Sequence, residues 1–187
     1  MEKKIIIAGS GGQGILYLGK ALAFAAMLDG REVTWFPSYG AEMRGGTANC
    51  TVIISDAMIG SPVVSSPDIL VAMNQASLEK FRPRLGRRGL LFLDSSLIPE
   101  TRPREGTRCV PVPATEIARQ SGNTRSANMV MLGAVIAKTG ILSRTSAQRV
   151  CEAGKKAGGA GGSNVNLITI MKGMDYIDHE ESKDIRS

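Results

Sequence analysis

Apolar positions fall into short continuous runs and longer stretches at helical spacing, and the two kinds alternate along the chain. Residues 4–8 are a short apolar run bounded by glycines, which predicts a strand buried on both faces. From Ile15 to Leu28 the apolar residues recur at helical spacing with alanine filling, and Gly30 supplies a stop. "REVTWF" is β-branched and aromatic, a second strand that Pro37 should end. "TANCTVIIS", "DILVAM", "GLLFLD" and "TRCVPV" read as four more strands.

Between the fourth and fifth strands, "SLEKFRPRLG" predicts a short helix capped by Ser77. "ATEIARQSG" predicts another, with Thr115 as its cap. "SANMVMLGAVIAKTG" is apolar on nearly every face, the mark of a helix buried on several sides. Asn128, near its start, reads as a cap more readily than as a ligand. "SRTSAQRVCEAGKKA" follows as a helix, and "GGAGG" breaks the chain without marking a domain boundary. A last amphipathic helix runs through Leu167, Ile168, Met171, Met174 and Ile177 into a polar tail, flexible from about residue 179.

This order predicts one α/β domain over residues 1–187, a three-layer α/β/α fold with a mixed, mostly parallel sheet that is Rossmann-like at the N-terminus. The step from "WFPSYGAEMRGG" into "TANCTVIIS" leaves no room for a crossover helix, so part of the sheet should be antiparallel.

With 187 residues, 43% hydrophobic and 21% charged, the chain has the composition of a soluble globular protein. No apolar run reaches the ~20 residues of a membrane helix, and "MEKKIII" is too short for a signal peptide. The expectation is a cytoplasmic protein without membrane contact. The net charge of +6 gathers between Arg82 and Arg108, which fits a solvated face, a docking face or a phosphate site. Aromatics are 4%, too few for base-stacking platforms, which argues against nucleic acid.

Cys50, Cys109 and Cys151 are far apart and odd in number. That spacing suits buried thiols better than a disulfide framework, and a zinc or iron–sulfur site usually needs a close pair. His179 lies among charged residues and reads as solvated.

The glycine-rich "GSGGQG" after the first strand satisfies G-x-G-x-x-G, a turn that offers unpaired N–H groups at a helix N-terminus to an anion. A nicotinamide or flavin site also calls for an acidic residue at the end of the second strand. That strand ends "VTWFPS", so the dinucleotide reading loses its ribose partner. Gln13 adds a primary amide that can bond to a ligand or to a neighbouring chain. The second loop, "FPSYGAEMRGG", gathers Ser38, Tyr39, Glu42 and Arg44, with Gly45 and Gly46 allowing a sharp turn or close approach. Both loops should lie at one end of the sheet, where α/β folds place ligands.

"GSGGQGI", "FPSYGAEMRGGTANCTVIIS", "SPVVSSPDILVAMN" and "NMVMLGAVIAKTG" together resemble the gamma subunit of 2-oxoacid:ferredoxin oxidoreductases. The resemblance runs in order from residue 4 to about 142, and less distinctly to 178. It implies an enzyme that oxidatively decarboxylates a 2-oxoacid, with 2-oxoglutarate favoured, forms an acyl-CoA and reduces ferredoxin. Thiamine diphosphate, Mg and iron–sulfur clusters would sit on alpha and beta subunits, with delta as an optional further subunit. This chain would hold no cofactor or metal by itself and contribute no catalytic residue. Its part would be to complete the complex and shape the coenzyme A approach. The residues singled out for that role are Gly11, Gly12, Gln13, Gly14, Ser38, Tyr39, Glu42, Arg44, Gly45 and Gly46, touching coenzyme A or only a partner subunit. The alternatives are the small subunit of an indolepyruvate:ferredoxin oxidoreductase, or a stand-alone nucleotide-binding module.

Overall fold

The computed structural model describes residues 1–38, 47–99, 103–146, 148–149 and 163–184. In chain order its elements are β1 (Glu2–Ser10), α1 (Ile15–Leu28), β2 (Glu32–Ser38), β3 (Thr47–Ser55), β4 (Ile69–Ala72), α2 (Gln75–Phe81), β5 (Leu90–Asp94), β6 (Arg108–Val112), α3 (Ala114–Gln120), α4 (Ala127–Thr139) and α5 (Ser163–Asp184). The strands form one sheet in the order β2-β3-β1-β4-β5-β6. β1–β4, β4–β5 and β5–β6 are parallel, while β3 runs antiparallel to both β1 and β2. The expected α/β class with a mixed, mostly parallel sheet is therefore the one adopted.

β1 shows why its sequence is a continuous apolar run. Ile5 and Ile7 enter one core with α1, α4 and α5, while Ile6 and Ala8 enter a second core with Leu78 and Phe81 of α2. Both faces are covered, so alternation with polar residues would bury polar groups at a cost. Each fully buried Ile or Leu contributes about 1.5–3 kcal/mol. β1 is longer than the apolar run because the β3 ladder extends to Glu2 opposite Ser55. β2 also runs past its expected end: Pro37 pairs opposite Cys50, which an edge strand tolerates.

α4 is buried from Ala127 through Ile136, and α5 lies against it through glycines. A Cβ on Gly133 would collide with the Ile170 carbonyl, and one on Gly173 with the Val130 carbonyl. The two backbones approach too closely for any side chain at either position. α5 continues through His179 to Asp184, beyond the point where a polar tail was expected to begin.

Three expected caps are corrected, and one is Asn128, which lies inside α4; Ser126 holds the N-cap position there, without a side-chain bond. Asn74, not Ser77, caps α2: its Oδ1 accepts from the Ser77 N–H at 2.8 Å. α3 has Pro113 at its N-cap position and no side-chain cap, and the Thr115 hydroxyl instead donates to Oδ2 of the buried Asp94 at 2.5 Å.

Candidate functional site

β1 ends at Ser10, and the chain turns through Gly11–Gly14 into α1. Gly12 and Gly14 have φ of 90° and 71°, the left-handed region that favours glycine. Gly9 serves close packing: a Cβ there would lie 2.5 Å from Ile15 Cδ1 and 2.9 Å from Met73 Cβ.

Three amides hold this turn in place. Gln13 Oε1 accepts from the Ser10 N–H at 2.6 Å, and its Nε2 donates to the Met73 carbonyl at 2.9 Å. Asn74 Nδ2 donates to Ser10 Oγ at 2.5 Å. Asn128 Nδ2 donates to the Gly14 carbonyl at 3.1 Å. Gln13 thus faces inward, stitching the loop to the end of β4. Asn128 joins α4 to the loop, while its Oδ1 accepts from the Met129 N–H at 3.0 Å. Sequence reasoning missed Asn74, whose signal was an asparagine between a strand run and a helix, followed three residues later by Ser77.

The head of α1 has the polarity that attracts an anion. Its N-cap, Gly14, supplies no side-chain bond, and the first turn contains no acid. The first N–H groups of a helix lack intrahelical partners and carry its positive end. Gly11 and Gly12 are exposed, and a Cβ built on Gly12 meets nothing within 4 Å.

Ser38, exposed at the end of β2, lies opposite Asn49, which in turn pairs with Ala8 of β1. Thr47, where β3 begins, is opposite Ser10. The β2–β3 connection and the glycine turn therefore leave the sheet at the same end, about 10 Å apart across two strand spacings. Tyr39, Glu42, Arg44, Gly45 and Gly46 lie outside the described residues.

Cys50 is buried beneath α1, where burial pushes its thiol up to about 12; its Sγ faces the Ile15 carbonyl at 3.8 Å. Burial also raises the half-buried Cys109 thiol, against an opposing pull from Arg82. Cys151 falls outside the described residues, and His179 is exposed on α5. Among the described residues no three His, Cys, Asp or Glu side chains converge as a metal site would require. No described helix is long and apolar enough to cross a membrane.

Residues 4–176 match the family model described as pyruvate ferredoxin/flavodoxin oxidoreductase. The chain is 47% identical over 136 residues to the ketoisovalerate oxidoreductase subunit VorA of Methanothermobacter thermautotrophicus. That match takes in 73% of this chain but only 28% of VorA, so the chain spans well under half of that relative. The 2-oxoglutarate synthase subunit KorC of the same organism is 40% identical over 184 residues, covering 95% of this chain and 96% of KorC. Among solved structures, the gamma subunit of a keto/oxoacid ferredoxin oxidoreductase from Geobacter sulfurreducens superposes with a TM-score of 0.79 at 29% identity, covering 94% of this chain and 98% of that one. A 2-oxoglutarate:ferredoxin oxidoreductase from Magnetococcus marinus, with 2-oxoglutarate, coenzyme A and succinyl-CoA bound, gives 0.86 at 26% identity, covering 95% of this chain and 31% of that one.

Proposed function

We propose that this chain, which belongs to the pyruvate ferredoxin/flavodoxin oxidoreductase family, is the gamma subunit of a cytoplasmic enzyme that oxidises a 2-oxoacid to an acyl-CoA and reduces ferredoxin. The observation that carries the reading is the similarity to KorC, 40% identical over 184 residues that take in 95% of this chain and 96% of KorC. The substrate favoured on that ground is 2-oxoglutarate. VorA, at 47% identity over a shorter stretch, supports 2-oxoisovalerate as the second reading.

Alpha and beta partners would hold thiamine diphosphate, Mg and the iron–sulfur clusters, and thiamine diphosphate would supply the carbanion chemistry of decarboxylation. This chain's own contribution is binding and positioning. The backbone N–H groups of the exposed Gly11 and Gly12 and of the head of α1 suit a diphosphate or 3′-phosphate of coenzyme A. Gln13 holds that turn in shape, and Gly14 opens the helix. From the sequence, Ser38, Tyr39, Glu42, Arg44, Gly45 and Gly46 are assigned to the same role, with the Arg44 guanidinium as a charge-assisted donor. The outer face of α1, where Tyr17, Phe24, Met27 and Leu28 are exposed at helical spacing, suits contact with a partner subunit.

The test is co-purification followed by kinetics on the complex. A tagged chain should retain thiamine- and iron-containing partners, and the complex should turn over one 2-oxoacid best among 2-oxoglutarate, 2-oxoisovalerate, pyruvate and indolepyruvate. Arg44→Ala should raise KM for coenzyme A while assembly survives. Recovery of a cofactor-free monomer without such partners would overturn the subunit role. Tight NAD or FAD binding by the chain alone would favour the stand-alone module.

A further inference from the structure

The arginine-rich stretch noted in the sequence folds at the end of the sheet opposite the glycine turn. Lys3 near the start of β1, Ile69 of β4, Leu90 of β5 and Arg108 of β6 line a cleft of about 320 Å³, together with Arg87, Arg88 and Lys138. We propose that this cleft binds a phosphorylated small molecule, at a site separate from the coenzyme A approach.

Charge pairing sets these residues apart. Elsewhere several arginines are engaged: Arg31 with Asp56, Arg119 with Glu116 and Arg144 with Asp178, while Arg84 and Arg104 donate to backbone carbonyls. In the cleft, Lys3, Arg87, Arg88 and Arg108 have no ion-pair partner among the described residues. Lys138 is held by Glu181 at 2.8 Å. The acid lining the cleft, Asp68, uses Oδ2 to accept from the Lys4 N–H at 2.8 Å. A second cleft of about 440 Å³ shares Leu90, Arg108 and Lys138, and its acids are also engaged, Glu181 with Lys138 and Glu180 with Lys183. Unpaired cations gathered on a concave wall repel one another and focus a positive potential, which a multivalent anion relieves.

The backbone fixes where these cations stand. Arg88 has φ 65°, a conformation glycine would adopt without strain, yet an arginine occupies it. Its N–H donates to the Gly106 carbonyl at 2.9 Å, the Gly89 N–H to Gly86 at 2.9 Å, and the Arg108 N–H to Gly89 at 3.0 Å. The Arg87–Arg88 turn and the start of β6 are thereby tied into one rigid edge. Guanidinium groups presented from such an edge suit phosphate, whose oxygens accept paired N–H donors. A concave wall of this volume fits a small phosphorylated molecule better than a flat acidic protein surface.

The experiment is calorimetric titration of the full chain with inorganic pyrophosphate, and with citrate as a carboxylate anion, at about 0.05 and 0.5 M salt. Saturable one-to-one pyrophosphate binding is expected, weakening with salt and at least tenfold weaker in Arg88→Gly and in Arg108→Ala. Arg88→Gly suits the left-handed backbone, so its melting temperature without ligand should not fall, which separates lost binding from lost folding. Equal binding by wild type and both arginine variants overturns the proposal. So does citrate binding as tight as pyrophosphate binding. A signal lost in Gly11→Asp but kept in the arginine variants places the anion at α1 and overturns it too. Absence of small-anion binding, with partner subunits lost from the arginine variants, makes the cleft a protein-docking face instead.

Discussion

The side-chain amide of Gln13 donates to the Met73 carbonyl at 2.9 Å, across sixty positions of sequence, while its oxygen receives the Ser10 N–H at 2.6 Å. A residue that looks available to a ligand is thus a clamp between the glycine turn and the end of β4.

Gln13→Ala leaves a part-buried donor and acceptor without this partner, which should cost about 1–3 kcal/mol. Gln13→Glu keeps the bond from Ser10 but sets a carboxylate against the Met73 carbonyl. Protonation turns that carboxyl into a donor, so the Glu variant should regain part of its melting temperature as pH drops from 7 to about 4. Thermal melts of the three proteins decide the point. An Ala variant that melts with wild type would show that the clamp contributes nothing.

The α4–α5 contact gives a second test. Gly133→Ala and Gly173→Ala each push a methyl into a facing carbonyl, of Ile170 and Val130 respectively. Backbone oxygens cannot swing away as a side chain can, so α5 must shift as a body. Each variant should lose about 1–3 kcal/mol despite alanine's better helix propensity. Chemical denaturation measures this directly; a stabilised variant would mean that the helices are not held at this distance.

Elements with strong local signals were legible in the sequence. β1 and α1 could be read because a continuous apolar run, a glycine turn and a helical period follow one another directly. Caps were less legible, since Asn74 and Ser77 are both competent and only the chain's entry angle selects between them. The loser, Ser77, has its hydroxyl buried without a hydrogen-bond partner among the described residues. The bond from Asn128 to Gly14 spans 114 positions, beyond any local pattern. Residues 179–184 looked like a tail because they are polar, yet Glu181 pairs with Lys138 and the Ser182 hydroxyl bonds to the Asp178 carbonyl, holding them to the helix. At the candidate site the glycines were readable from spacing, whereas the inward turn of Gln13 was not, because an amide bonds equally well in either direction.

Asp29 at the end of α1 ties that helix to the chain after α4. Burial raises its pKa, but bonds from the Ser146 hydroxyl and from the Ser143 N–H and hydroxyl outweigh this and hold the carboxyl below the usual aspartate range. A folded pKa below the unfolded one contributes stability that is complete above the unfolded value and lost as pH falls through the folded value. The melting-temperature gap between wild type and Asp29→Asn should therefore be widest near neutrality and close as pH falls through the folded value. A gap that widens on acidification would reverse the sign of this linkage.

The grip of Asn128 on the glycine turn can be isolated with a double-mutant cycle. Gly14→Ala has two costs: a left-handed backbone at φ 71°, about 1–2 kcal/mol, and collision of the new methyl with the Asn128 amide. Asn128→Ala alone removes the bond to the Gly14 carbonyl, which still accepts from the Leu18 N–H at 2.9 Å, and leaves the Met129 N–H without its Asn128 acceptor. In the double variant the collision has no second partner, and only the backbone strain and the lost bonds remain. The double should therefore be less destabilised than the sum of the singles, by about 1 kcal/mol or more, in denaturant melts. Agreement with the sum to within about 0.5 kcal/mol would mean that α4 does not hold the turn. The same variants separate shape from chemistry in the assembled enzyme. If the turn positions coenzyme A through its backbone, KM for coenzyme A should rise in Asn128→Ala, although Asn128 contributes no group to the exposed face of the loop.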